Sequence, residues 1–261
     1  MQMRARVVER RELGRSSFVL RLDGCEALAP AQPGQFVMVR GDWGRDPLLP
    51  RAFSILRALP GGECELLGKA IGRGTRLLGA ATVGAVLDLL GPLGRGFPAP
   101  VKDRREILVA GGVGLAPLLW HAEAAKKNGA AVHLFYGART VQDLVLLDQI
   151  ERTGCALTLT TEDGSCGVSG RVTSALLQYL ADLESVPPSV LYTCGPNAMM
   201  RSVVELARKY SLHCLVSVEG EMACGFGVCL GCAIPTPGGE RAFAYACTDG
   251  PVFDAAKIEM P

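Results

Sequence analysis

Histidine is scarce in this chain: there are three among 261 residues, His121, His133 and His213. The first two fall inside an expected helix and an expected strand, and His213 lies just beyond a helix. None stands in a motif for acid–base chemistry on a carbon substrate. Long apolar runs are missing as well. No uninterrupted stretch approaches the roughly 18 residues of a membrane span, so no membrane association is expected. Charge of a single sign is also absent. With 27 basic and 26 acidic residues the net charge is +1, and no block of like charge forms a tail. That removes the electrostatic case for nucleic acid. The N-terminal "MQMRARVVERRELGR" has no apolar core of a secretion signal, and the expectation is a cytoplasmic protein with reduced thiols.

Cysteine, by contrast, is plentiful. Ten cysteines in a chain this long, 49% hydrophobic and 20% charged, do not read as a small disulfide scaffold; two ordinary domains and a small third are expected. Four of the ten are grouped. "EGEMACGFGVCLGCAIP" sets Cys224, Cys229 and Cys232 at C-x₄-C-x₂-C spacing, and Cys247 follows in "AYACTDGPVF". Gly225, Gly227 and Gly231 lie between the thiols, where a tight loop needs residues without a Cβ. Backbone N–H groups freed by such a loop can hydrogen-bond to sulfur. This is the plant-type spacing of a 2Fe–2S cluster. Structural zinc sites usually pair cysteines in C-x₂-C knuckles; one such pair is present, so zinc stays as the alternative. The other six (Cys25, Cys64, Cys155, Cys166, Cys194, Cys214) are scattered and read as packing residues.

Residues 1–101 are dominated by short alternating segments, "RARVVER", "SFVLRL", "QFVMVR", "RAFSIL" and "ECELLGKA", broken by "PAQPGQ", "GDWGRDPLLP" and "LPGG". Such spacing predicts an antiparallel β-barrel, with a helical turn or two at "GTRLLGAA". From about Arg105 strand and helix alternate. "EILVAGG", "AVHLFYGA", "ALTLTTEDG" and "VLYTCGP" read as strands. "LAPLLWHAEAAKKNG", "DLVLLDQIERTG", "VTSALLQYLADL" and "NAMMRSVVELARKY" read as helices. The pattern predicts an α/β, doubly wound parallel sheet over 102–216. Residues 217–261 are the cluster-binding segment. Ligands on such sheets sit beyond the C-terminal strand ends, which brings "AGGVGLAP" (Ala110 to Pro117), "YGART" with Arg139, and the glycine-rich "TEDGSCGVSGRV" to notice. The first departs from G-x-G-x-x-G, so spacing alone does not make it a dinucleotide fingerprint.

Three pieces in order, "PGQF", R-x-F-S-I from Arg51, and G-x-G-T ending at Thr75, resemble the flavin domain of the ferredoxin–NADP reductase superfamily. The resemblance implies that Arg51 meets the FAD diphosphate, that Ala52, Phe53 and Ser54 run beside the isoalloxazine, and that Gly74 and Thr75 cap the diphosphate. More loosely it implicates Gly68, Lys69 and Ala70. Ala52 departs from the common proline, at a position where backbone groups can bind. "AGGVGLAP" resembles that superfamily's nicotinamide-dinucleotide loop, implicating Gly111, Gly112, Gly114 and Pro117. "CGPNAM" is similar to its C-G-P-x-x-M element, which places Cys194, Gly195 and Pro196 near the nicotinamide.

With the cluster motif added, the whole chain resembles the electron-transfer subunits of NAD-dependent, two-component dihydroorotate dehydrogenases. That family implies FAD, a 2Fe–2S cluster held by Cys224, Cys229, Cys232 and Cys247, and NAD. It also implies an FMN-containing catalytic partner, a heterotetramer with two of each subunit, and a place in pyrimidine biosynthesis. The loop rim around Phe226 and Val228 is expected to face the partner. Related subunits of sulfide dehydrogenases and of NADH-dependent ferredoxin–NADP⁺ oxidoreductases share the layout. A flavin-free, zinc-binding assembly module is the alternative of another class.

Overall fold

The computed structural model of the chain describes residues 1–182, 189–238 and 241–260. Six strands open it: β1 (Gln2–Leu13), β2 (Ser17–Asp23), β3 (Phe36–Gly41), β4 (Arg51–Leu59), β5 (Glu63–Lys69) and β6 (Val86–Leu93), with helix α1 (Arg73–Gly79) between the last two. They close into a barrel in the order β1-β2-β5-β4-β3-β6, and every pairing is antiparallel. The period of two drives the closure. Ala5 and Val7, Leu20 and Leu22, Val37 and Val39, and Leu87 and Leu89 all enter one buried core. Strand β6 escaped the sequence reading, which singled out five barrel segments. Its run is short, with Asp88 exposed between Leu87 and Leu89, and Gly91-Pro92 reads as a turn.

The second layer carries β7 (Arg105–Gly111), α2 (Leu115–Lys127), β8 (Ala131–Ala138), α3 (Leu147–Thr153), β9 (Ala156–Thr161) and β10 (Val168–Ser169). It continues with α4 (Val172–Ala181), β11 (Ser189–Cys194), α5 (Asn197–Lys209) and β12 (His213–Ser217). After these come three short strands, β13 (Ala233–Pro235), β14 (Phe243–Tyr245) and β15 (Val252–Asp254). The large sheet runs β10-β9-β8-β7-β11-β12-β15, parallel except at the β12–β15 edge. Alternation along β7 serves both faces. Leu108 and Ala110 pack with α2, whereas Ile107 and Val109 pack on the side of α4 and α5. The sheet is therefore doubly wound, as the alternating pattern predicts.

Two expectations change here. The helix expected over "DLVLLDQIERTG" is confined to Leu147–Thr153. Before it, Leu144, Val145 and Leu146 are buried in the core beside α2, with Leu144 extended and Leu146 left-handed at φ 58°. Tertiary burial of three consecutive apolar residues overrides their helical spacing, because a helix would turn one of them to solvent. His213 lies just past α5, as expected, and begins β12. Residues 217–261, expected as a segment of their own, contribute the antiparallel edge β15 and so join the sheet.

Barrel and sheet share a core: Val19, Leu56 and Leu67 pack with Leu115, Leu118 and Leu119 of α2. Strand β3 is buried on both faces. Val37 and Val39 point into the barrel, while Phe36 and Met38 pack with Cys232 and Cys247 of the C-terminal segment. No helix among the described residues is long and apolar enough to cross a membrane.

Candidate functional site

The N-terminal half of β4 and the end of β5 form the floor of a cleft lined by Ala52, Phe53, Ser54, Gly68, Lys69 and Thr75. The absence of side chains shapes it. A Cβ on Gly68 would come within 2.6 Å of both the Phe18 and Phe53 rings. At the cleft edge the Arg51 guanidinium lies over Gly74, where a Cβ would stand 2.7 Å from Nε. Arg51 Nη1 donates to the carbonyls of Leu49 (2.7 Å) and Pro50 (3.2 Å). The Thr75 hydroxyl accepts from the N–H groups of Ile71 (3.1 Å) and Gly72 (3.0 Å), fixing the turn into α1. Ala70 lies off the cleft, its N–H bonded to the Ser16 carbonyl at 2.8 Å. A flat apolar floor with a cation over a helix start has the shape and donors that a flavin diphosphate requires.

A second cleft opens at the C-terminal edge of the large sheet, where the doubly wound topology puts ligands. Gly111, Gly112, Gly195 and Pro196 line it, with Arg139, Glu162 and Arg171 along its wall. Gly112 takes φ 56° and no atom lies within 4 Å of its missing Cβ, so bare backbone faces the cleft. The buried Tyr136 hydroxyl donates to the Gly112 carbonyl (3.3 Å), and burial pushes its pKa up to about 12. Gly114, Pro117 and Cys194 sit behind this surface. A Cβ on Gly114 would meet the Cys194 carbonyl at 2.4 Å, and Pro117 is buried in the first turn of α2. Cys194 is fully buried, its thiol held well above its ordinary pKa by desolvation and by Glu219.

Glu219 is the residue that sequence reasoning missed. It follows β12, lies with its carboxylate 3.9 Å from the Cys194 sulfur, and lines both clefts. It opens onto cleft space but is ringed by protein, and that enclosure raises its pKa while the Cys194 contact opposes the rise. Its position just past a strand end, on the ligand-binding edge, was the available signal. Lys69, Ile71 and Val113 also line both clefts. The two clefts therefore adjoin at the barrel–sheet junction, with these residues as their common wall.

The four motif cysteines lie beside β3. The Cys232 and Cys247 sulfurs are 3.2 Å apart, and the backbone N–H of Cys229 points at the Cys224 sulfur (3.5 Å). Partial burial opposes ionisation of Cys224, but the N–H groups of Cys229, Phe226 and Val228 outweigh it and bring that thiol down to about 6. Burial, then the Cys232 thiol, pushes Cys247 up to about 11. A loop that aims N–H groups at sulfur favours bound thiolate.

Gly225, at φ 83°, is packed so that a Cβ would lie 2.4 Å from Met38 Cγ. Substitution Gly225→Ala combines a left-handed backbone cost of about 1–2 kcal/mol with that clash. We expect iron content to fall by about half or more under the same purification; unchanged iron per chain would show that the loop relaxes freely.

Comparison with known proteins gives these features a family. Residues 219–259 match the iron–sulfur cluster binding domain of dihydroorotate dehydrogenase B, and residues 108–205 match the oxidoreductase NAD-binding domain. The electron transfer subunit of dihydroorotate dehydrogenase B (NAD(+)) from Geobacillus kaustophilus is 35% identical over 260 residues, covering 98% of each chain. This chain belongs to that family. The homologous subunit of Shouchella clausii is 36% identical, covering 99% of this chain and 98% of its own. Among solved structures, that of an NADH-dependent reduced ferredoxin–NADP oxidoreductase, a flavin-based bifurcating system, superimposes with a TM-score of 0.87 at 28% identity. It covers 98% of this chain and 90% of the other. The ferredoxin reductase of carbazole 1,9a-dioxygenase gives a TM-score of 0.71 at 27% identity, with 81% and 66% coverage. The matched iron–sulfur domain spans all four motif cysteines. The zinc-bearing assembly module is left without support.

Proposed function

We propose that this chain is the electron-transfer subunit of an NAD⁺-dependent dihydroorotate dehydrogenase of pyrimidine biosynthesis. It accepts electrons from a catalytic subunit and delivers them to NAD⁺. The observation that carries this reading is that the two clefts adjoin, sharing Lys69, Ile71, Val113 and Glu219 as walls, with the cysteine loop packed on β3 beside them. When bound, the 2Fe–2S cluster supplies single-electron transfer, FAD converts between single electrons and hydride, and NAD⁺ takes the hydride.

In this reading residues 1–101 hold FAD, 102–216 hold NAD and 217–261 hold the cluster. Arg51 binds the FAD diphosphate over Gly74 and beside Thr75, while Ala52, Phe53, Ser54, Gly68 and Lys69 bed the ring. Gly111, Gly112, Gly195 and Pro196 present backbone to the dinucleotide, and Gly114, Pro117 and Cys194 support that backbone from behind. Cys224, Cys229, Cys232 and Cys247 would hold the cluster. The exposed Phe226, Val228 and Leu230 (52%, 72% and 51%) form an apolar rim, which docks on the catalytic subunit and keeps water from the cluster. That partner contains FMN, and the complex is a cytoplasmic heterotetramer with two of each subunit.

The isolated holoprotein will contain about two iron and two labile sulfide per chain and will reduce dye acceptors with NADH. It will not oxidise dihydroorotate, because in this reading that step belongs to the catalytic subunit. Dihydroorotate oxidation by this chain alone would overturn the division of labour. The resemblance to the bifurcating ferredoxin–NADP oxidoreductase structure favours a second reading, with the same architecture but another partner. Dihydroorotate-driven NAD⁺ reduction on mixing with the catalytic subunit separates the two.

A further inference from the structure

Side chains of the barrel reach polar partners in the sheet domain: Lys69 pairs with Asp143 (3.0 Å), Arg15 donates to Gln142 (3.0 Å), and Arg57 makes the most extensive set of contacts of these. Arg57 extends from the far half of β4, the strand whose near half floors the first cleft. Its Nε donates to both Glu123 oxygens (2.9 and 3.0 Å), and Nη2 also reaches Glu123. Nη1 donates to Glu65 of β5 (3.1 Å) and to Gln149 of α3. Arg11 of β1 holds the other Glu65 oxygen at 3.2 Å and also pairs with Glu9 at 3.2 Å. The Arg57 side chain is only 15% exposed and Gln149 is buried. Neither Arg57 nor Glu123 lines a cleft.

The placement matters because both carriers are rigid. Arg57 is three residues along β4 from Ser54, or about 10 Å at a strand's rise. Glu123 is eight residues along α2 from Leu115, where the dinucleotide loop ends, or about 12 Å at a helix's rise. Around it, Val19, Leu56 and Leu67 of the barrel pack on Leu115, Leu118 and Leu119 of α2, and apolar contact is non-directional; the Lys69–Asp143 and Arg15–Gln142 contacts are each a single bond. A bidentate Arg–carboxylate pair, in contrast, fixes orientation as well as distance. Resting on the reading above that FAD occupies the first cleft and the dinucleotide the second, we propose that the Arg57–Glu123 fork sets the angle between them. It thereby sets how closely nicotinamide approaches flavin. Arg57 is a positioning residue, acting through β4 and α2 without touching either cofactor.

The test compares the wild-type holoprotein with Arg57→Lys, which keeps the charge and loses the fork, with Glu123→Gln, and with the double variant. FAD content, NADH affinity, Tm, the rate of flavin reduction at saturating NADH and the long-wavelength charge-transfer absorbance are measured on each. We expect full FAD content and NADH affinity within about twofold of wild type. The saturating rate should fall about tenfold or more, as a small misalignment of reacting atoms does, with a weaker charge-transfer band. The double variant should be no slower than the worse single one, because both remove the same contact. An unchanged saturating rate and charge-transfer band, with or without a lowered Tm, would show that the fork only holds the domains together. A loss confined to NADH affinity would also overturn the proposal. Failure of the wild type itself to pass electrons from NADH to FAD would instead sink the functional reading beneath it, and the proposal with it.

Discussion

A Cys247→Ala variant will purify with FAD bound and NADH–dye activity largely retained, yet without a 2Fe–2S cluster, and its coupling to the catalytic subunit will fall to background. The reasoning is geometric. Cys247 and Cys232 form the buried half of the thiol set, with sulfurs 3.2 Å apart, and alanine offers no ligand in place of a thiolate. The backbone around Cys247 has its own supports. β14 pairs with β13, the Ala246 N–H bonds the Cys232 carbonyl (3.0 Å), and the Val218 N–H bonds the Pro251 carbonyl (2.9 Å). Hydride exchange requires only the two clefts, which Cys247 does not line. Iron and sulfide assays, the electron paramagnetic resonance signal of the reduced protein, and dihydroorotate-dependent NAD⁺ reduction in the reconstituted complex read the outcome. Cys229→Ala, on the exposed side of the loop, should give the same phenotype with less disturbance of packing. A stoichiometric cluster in either variant would remove that cysteine from the ligand set, and coupled turnover without a cluster would show that electrons do not need it to cross between subunits.

Arg51→Ala should weaken FAD binding by about 10- to 100-fold, from a charge-assisted contact contributing roughly 1.5–3 kcal/mol. The guanidinium is already aimed. Two backbone carbonyls hold Nη1, and Gly74 lets the plane lie against the start of α1. The diphosphate therefore meets a cation that gives up little rotamer entropy on binding. Fluorescence titration of the apoprotein with FAD measures the change. Retention of full FAD through dilution and gel filtration by the variant would show that the arginine does not carry the diphosphate.

The sequence spoke most clearly where its signals were local. C-x₄-C-x₂-C with intervening glycines is a spacing, and its chemistry needs no knowledge of the rest of the chain. The barrel and the doubly wound sheet follow from periods of two and from strand–helix alternation. Those periods fail where tertiary packing overrides them. Strand β6 is hidden by Asp88 and the Gly91-Pro92 pair. The Leu144–Leu146 stretch looks helical until burial extends it, and β15 is three residues that become a strand only against β12.

By itself, the amino-acid sequence determined the order of parts: a flavin-type barrel, a dinucleotide-type sheet and a cysteine loop, each with its motif residues in place. How those parts face one another was decided only in three dimensions. Glu219 joins Lys69 and Val113 at the meeting of two clefts, Met38 of the barrel meets Gly225 of the cysteine loop, and Arg57 meets Glu123 across 66 positions. The physical reason is one of range. Propensity, periodicity and ligand spacing act over a few residues and are written along the chain. Contacts between residues far apart depend on which apolar faces bury one another, and any one strand or helix is too short to specify that.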